Sequence, residues 1–418
     1  MNDTKSFIYI KQMYMKGFFD LEENCKEKII SEDYWDFIIP LYRDEELKEV
    51  NPENVCIQEM DFGYKSVSVD RRILLPLSFR EYWYSTIPKC YALLDMQPLD
   101  AAGIITLQNY PTLQLMGDGI MIGFLDTGID YQNRVFRNLD GTTRIVGIWD
   151  QTIQTGRTPQ GLYYGTEYTE EMINAALRSE DPLQIVPSVD TDGHGTFVAS
   201  AAAGGAEVGK RFLGAAPEAS IAMVKLKPAK NYLKEFFVIA QDAVCYQEND
   251  IMLGLRYLND LARKQGMPLV ICVALGTSFG GHNGDSLLAD ILDIYATVRN
   301  RCVVVGTGNE AARRHHYFNR FTDAQDMRTA EIRVGEGTQS FAVELWSTLP
   351  NIVMVSVTSP SGERTGMIPI RLGYLFDFLF TFERTTITVE YRLLQENNDA
   401  QLVFIRFQNA VPGIWKID

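Results

Sequence analysis

The chain has 418 residues, 46% of them hydrophobic and 22% charged, and a formal net charge of −15. That length suits about two or three domains, and the balance of apolar to charged residues is ordinary for a globular protein. The acidic surplus argues against nucleic acid or an anionic membrane as partner, and no long uncharged run marks a membrane span.

The amino terminus, Met1-Asn2-Asp3-Thr4-Lys5-Ser6, leads into no apolar stretch of signal-peptide length. A cytoplasmic start is therefore expected, with later release by lysis or a non-standard route left open. Residues 1–85 contain alternating segments, Val55-Cys56-Ile57-Gln58-Glu59-Met60 and Ser66-Val67-Ser68-Val69, which predict a small α+β unit. Cys25, Cys56, Cys90, Cys245, Cys272 and Cys302 show no metal-type spacing; an even number permits disulfides, but their scatter defines no framework. Cys272 and Cys302 fall inside apolar runs and are expected to be small buried side chains.

From Gly119 the chain reads Ile120-Met121-Ile122-Gly123-Phe124-Leu125 and breaks at Asp126-Thr127-Gly128. A short apolar run bounded by glycine predicts a buried parallel strand, and sites in open α/β sheets lie beyond the carboxyl ends of such strands. A carboxylate there can orient an imidazole and stabilise its protonated form; Asp-Thr-Gly alone is also an ordinary turn. The imidazole comes in Asp190-Thr191-Asp192-Gly193-His194-Gly195-Thr196-Phe197-Val198-Ala199-Ser200. Glycines on either side of His194 let backbone approach closely, and a helix of small residues is expected from Thr196.

Further on, Ile221-Ala222-Met223-Val224-Lys225-Leu226 predicts a strand, Asp250 to Gln265 a helix and Pro268 to Leu275 another strand. That rhythm is a doubly wound parallel α/β layout. The strand Val303-Val304-Val305 then ends in Gly306-Thr307-Gly308-Asn309-Glu310. From about Thr329 the pattern turns β-rich: Ile332-Arg333-Val334, Ser340 to Trp346, Ile352 to Val357, Thr385 to Tyr391 and Gln401 to Ile405 predict strands. Turns are expected at Ser359-Pro360-Ser361-Gly362 and Glu396-Asn397-Asn398-Asp399, which suggests a sandwich or jelly roll. The closing run Val411 to Ile417 is expected to be tied into a sheet.

The Asp126 and His194 segments, in that order, resemble those of subtilisin-like serine proteases of the peptidase S8 family. Arg144-Ile145-Val146-Gly147-Ile148-Trp149-Asp150-Gln151-Thr152 and Tyr163-Tyr164-Gly165-Thr166-Glu167-Tyr168 are similar to the clostridial branch, which carries a jelly-roll insertion. The resemblance implies Asp126 and His194 as catalytic residues and Asn309 as the oxyanion-hole donor. It makes Leu275 and Gly276 the edge segment that pairs with substrate backbone. Residues 1–85 become a prodomain-like unit, 86–325 the amino-terminal part of the catalytic domain and 326–418 an incomplete β-rich insertion. Tyr82 to Lys89 would approach the prodomain junction, with Gly103 leading into the core. The implied partners are a polypeptide substrate, the chain's own prodomain and a missing carboxyl-terminal portion.

The family's nucleophile sits in a Gly-Thr-Ser-x-Ala-x-Pro segment after the oxyanion asparagine. The sequence has Gly276-Thr277-Ser278, but it precedes Asn309, coincides with the substrate edge and continues as Phe279-Gly280-Gly281-His282. Ser278 is therefore expected to be a decoy, and Ser340, Ser347, Ser356, Ser359 and Ser361 lie in strand and turn patterns. The expectation is a protease truncated before its serine and inactive as written. Without the serine helix, Ile122, Phe124 and the Ala199 to Ala203 segment would lack cover, favouring aggregation. The rival is a pseudoprotease that acts by binding. A metalloprotease is disfavoured because His315-His316 are adjacent and no His-Glu-x-x-His occurs. No motif calls for a cofactor or a calcium ion.

Overall fold

The computed structural model describes residues 25–41, 51–93, 104, 108, 115–207, 212–310, 313–394 and 399–418. The expectations for the extreme amino terminus, Gly103 and most of the turn at 396–399 lie outside these residues.

The amino-terminal unit places helix α1 (Cys25–Ile30) against an antiparallel sheet of β1 (Tyr34–Pro40), β2 (Val55–Glu59) and β3 (Tyr64–Asp70), in the order β1-β3-β2. A disulfide joins Cys25 to Cys56, a link that spacing alone did not define. A short strand, β4 (Cys90–Leu93), follows.

The central sheet holds β5 (Met121–Asp126), β6 (Ile145–Asp150), β7 (Thr166–Thr169), β8 (Ser220–Lys225), β10 (Leu269–Val273) and β12 (Arg301–Val305). Between these lie β9 (Tyr246–Gln247) and β11 (Leu275–Gly276), which sit in another sheet. The central order is β12-β10-β5-β8-β6-β7, parallel except for β7. Its helices are α2 (Glu170–Arg178), α3 (His194–Ala203), α4 (Asn231–Phe236), α5 (Glu248–Gln265) and α6 (Leu287–Thr297). The two faces of β5 explain the doubly wound form. Ile122 and Phe124 pack with Val198, Ala199 and Ala203 of α3, while Met121 and Leu125 join Leu253 and Leu258 of α5. A strand buried on both faces is apolar along its length, as β5 is from Met121 to Leu125, before it ends in Asp126.

That packing corrects the expectation of uncovered core. Ile122 is 7% and Phe124 1% exposed, because the small side chains of α3 bring that helix down onto them. Within the central sheet, apolar side chains are left open on the edge strand β12, at Val304 and Val305. Cys302 is accordingly exposed and Cys272 half-buried, not the buried pair expected from their apolar surroundings.

The β-rich region has one sheet of β13 (Ala330–Val334), β15 (Val357–Thr358) and β19 (Gly413–Ile417), in the order β13-β19-β15. The other contains β14 (Ser340–Thr348), β16 (Leu375–Leu379), β17 (Thr386–Leu394) and β18 (Ala400–Gln408), ordered β14-β18-β17-β16. Val334, Val357, Ile387, Val389, Ile405 and Trp415 share the core between them. The predicted strand over 352–357 shrinks to Val357–Thr358, since Val355 and Ile368 meet only as an isolated bridge. The closing run does pair, with β13 and β15.

The three regions share one core. Phe37 and Phe79 from the amino-terminal side, Leu233 and Phe237 around α4, and Phe404 of β18 belong to a single buried cluster. Polar contacts follow the same seam: Phe79 N donates to Glu390 Oε2 at 2.9 Å, and Arg392 donates to Tyr82 O at 3.0 Å. Beneath β1, Asp36 meets Lys230 Nζ at 2.8 Å, Gln247 Nε2 at 2.8 Å and Ser68 Oγ at 2.6 Å. A buried ion pair needs such additional donors, because desolvation otherwise cancels its attraction.

Candidate active site

Asp126 is the last residue of β5, and His194 is the first of α3, two residues before the predicted helix start. His194 Nδ1 donates to Asp126 Oδ1 at 2.8 Å and lies 3.0 Å from Oδ2. A carboxylate can only accept, so the proton sits on Nδ1 and Nε2 carries the basic lone pair. The carboxylate is buried, which strengthens its hold on the ring.

The flanking glycines have separate duties. Gly193 has φ +92°, a left-handed conformation that turns the chain into the helix without a Cβ penalty. At Gly195 a Cβ would stand 2.2 Å from the carbonyl oxygen of Gly128. Only glycine lets the helix start this close to the end of β5.

Asp190 is the site residue that motif reading passed over. Its Oδ1 accepts from Thr127 Oγ1 at 2.8 Å and Gly193 N at 2.9 Å; its Oδ2 accepts from Thr196 N at 2.8 Å and Thr196 Oγ1 at 2.7 Å. Thr127 Oγ1 in turn accepts from Gly195 N at 2.9 Å. One carboxylate therefore ties the end of β5 to the first turn of α3 and fixes where His194 stands. Burial pushes the Asp190 carboxyl upward, but the hydrogen bonds from Thr196, Gly193 and Thr127 prevail and hold it below its ordinary value. The available signal was a carboxylate just before a helix start, a capping pattern.

The predicted substrate edge, Leu275–Gly276, is already paired. β4 lies between β11 and β9, with Leu93 opposite Leu275, Ala92 opposite Gly276, Tyr91 opposite Tyr246 and Cys90 opposite Gln247. A stretch of the chain just past the amino-terminal unit thus fills a slot between two backbone edges. β-Strand addition of this kind is how extended peptides bind a groove.

Asn309 is exposed in the loop after β12. Gly306 N donates to Val273 O at 3.0 Å, so that loop leaves the sheet beside the strand leading into β11, at the same carboxyl end as Asp126. Ser278 is exposed two residues beyond β11, and its carbonyl accepts from His282 Nε2 at 3.3 Å. His315 pairs with Glu310 at 2.6 Å, and His316 stacks on His282 with centroids 4.9 Å apart. Among the described residues, no group of three or more His, Cys, Asp or Glu could hold a metal ion, and no helix is long and apolar enough to cross a membrane.

A family profile described as the subtilase family matches residues 117–365, more than half of the chain. No curated protein matches it. Among solved structures, the chain is similar to the Clostridium perfringens CspB protease, with a TM-score of 0.62 and 29% sequence identity. That likeness covers 75% of this chain and 62% of the other, so the chain spans less than two thirds of its relative's length.

Proposed function

The chain belongs to the subtilase family, and from that premise we propose that it serves a serine endopeptidase acting on polypeptides. Asp126 orients His194, His194 Nε2 takes the proton of a serine, and Asp126 stabilises the resulting imidazolium. Asn309 donates to the oxyanion of the tetrahedral intermediate. Substrate backbone pairs with Leu275–Gly276 on one side and Tyr246–Gln247 on the other, the place now held by β4. The nucleophile comes from outside these 418 residues. The observation that carries this reading is the double contact of His194 Nδ1 with the Asp126 carboxylate, 2.8 and 3.0 Å, at the carboxyl end of a parallel strand.

Residues 1–85 act in this reading as a prodomain, and β4, just beyond them in the chain, blocks the groove until the connection is cut. Residues 86–325 form the catalytic region, and 326–418 a jelly-roll-like insertion that grips the amino-terminal unit. The protein functions in oxidising surroundings. The Cys25–Cys56 disulfide supports that placement, since such links persist where thiols are not kept reduced.

The test has two parts. The reading frame beyond Asp418 should contain a Gly-Thr-Ser-x-Ala-x-Pro segment; its absence would turn the reading into a protein that acts by binding. The 418-residue chain should not be labelled by a fluorophosphonate probe, because loss of the serine alone costs a subtilisin about 2 million-fold in kcat. Labelling that disappears in Ser278→Ala would overturn the assignment of the nucleophile.

A further inference from the structure

Glu248 opens α5 at the edge of the groove, and its side chain is fully buried. Most of its contacts come from Tyr91 of the strand in the slot and from Lys89 just before it. Lys89 N donates to Oε2 at 3.2 Å, Lys89 Nζ stands 3.7 Å from the same oxygen, and Tyr91 OH donates to Oε1 at 3.4 Å. From the surrounding fold, Leu288 N donates to Oε1 at 3.4 Å. Glu248 N also donates to Lys89 O at 2.9 Å, so the segment is held by backbone and side chain together. A cavity of about 210 Å³ adjoins these groups, lined among others by Tyr84, Lys89, Tyr91, Leu275, Ser286 and Leu288. Lys89 Nζ lies 4.4 Å from the centre of the Tyr84 ring and donates to Tyr84 O at 2.8 Å.

We propose that Glu248 is a specificity-determining residue, selecting polypeptides that bring a Lys-x-Tyr element to the slot, with the tyrosine hydroxyl on its carboxylate. This rests on the reading above, in which β4 stands where substrate binds. Any peptide can return the backbone N–H that Lys89 now gives. Only a lysine can return the ammonium, and among aromatic side chains of this size a tyrosine returns the hydroxyl. A buried carboxylate that loses both is left short of donors, a costly state. Sites built to bond a substrate hydroxyl reject the analogue lacking it. The length of the tyrosine contact argues for about a tenfold preference, well short of the largest such effects.

The experiment uses the full chain carrying Ala92→Pro, which removes an N–H from β4 and unseats it. A labelled peptide with the sequence of residues 87–93 is titrated by fluorescence polarisation. Its variants have phenylalanine in place of Tyr91 or glutamine in place of Lys89. The parent peptide should bind about tenfold more tightly than either variant, and Glu248→Gln should abolish the difference. Equal binding of all three would overturn the selectivity while leaving the groove reading intact. Failure of every peptide to bind would overturn the groove reading itself. Should Ala92→Pro not fold, hydrogen exchange in the otherwise unaltered chain decides. Tyr91→Phe should speed exchange at Ala92 and Leu93 about tenfold with Glu248 present, and have no added effect in Glu248→Gln. Equal acceleration in both backgrounds would overturn the proposal.

Discussion

Phe124 in β5 and Val304 in β12 are both apolar residues of one parallel sheet, yet Phe124 is 1% exposed and Val304 51%. β5 has β10 and β8 on its two edges, α3 on one face and α5 on the other. β12 pairs only with β10 in the described residues; Val303 packs toward the core beside α6, while Cys302 and Val304 face outward. Val305, next to the loop that carries Asn309, is 54% exposed. The Asp126–His194 side of the site is thus enclosed by its own residues, and the Asn309 side is open. An apolar run decides that a strand forms. Which face becomes covered depends on partners that the run does not encode.

Substitution offers the sharpest contrast between the two strands. Phe124→Ala should cost about 3 to 5 kcal/mol of stability, the range for removing a buried aromatic ring. Val304→Ala should stay within about 0.5 kcal/mol, as surface changes do. Urea unfolding of both variants checks this, and comparable losses would erase the distinction. Loss of Phe124 should also loosen the bed on which α3 rests, so His194 should become more mobile in the same variant.

Within the enclosed half, the comparison can be broken at Asp190. Replacement by alanine removes the acceptors of Thr127, Gly193 and Thr196 at once. Hydrogen bonds to a charged group contribute about 1.5 to 3 kcal/mol each, but these share one half-exposed carboxylate and do not add, so a total of about 3 kcal/mol is expected. Exchange protection at Gly193 to Thr196 should fall first. The pH dependence has a definite sign. Because the folded carboxyl sits below the ordinary 3.8, its stabilisation is complete above that value and is lost as pH falls through the lower folded one. Asp190→Asn should lack that acid step. An identical acid profile in both proteins would show that Asp190 does not brace the loop as an anion.

Much of the sheet and the Asp–His pair could be read from the residues, because each rests on a local signal. Doubly buried strands are uniformly apolar, and Gly193 and Gly195 announce a tight turn around His194. What stayed hidden depended on distant partners. The Cys25–Cys56 link needs α1 to lie on β2. The filling of the groove by residues 90–93 needs β9 and β11 to flank one stretch, and neither is longer than two residues. The Glu344 carboxylate, which accepts from Gly280 N at 2.7 Å and Tyr84 OH at 3.1 Å, joins all three regions. No short-range pattern marks such a residue.

The smallest change in stability is expected on the open side, and it carries the largest change in behaviour. A sheet edge with free backbone groups and exposed apolar side chains is a template for pairing with another chain. Val304→Lys leaves the buried partners of β12 untouched, so unfolding should move by no more than about 0.5 kcal/mol. A lysine there should nevertheless oppose edge-to-edge pairing, since repeated positive charges would meet in any assembled ladder. Light scattering at rising protein concentration should therefore show later aggregation for Val304→Lys than for the parent chain, while a lysine at the exposed Leu139, remote in sequence from β12, should change nothing. If both lysines delay aggregation equally, the effect is one of net charge and the edge of β12 is not the adhesive surface.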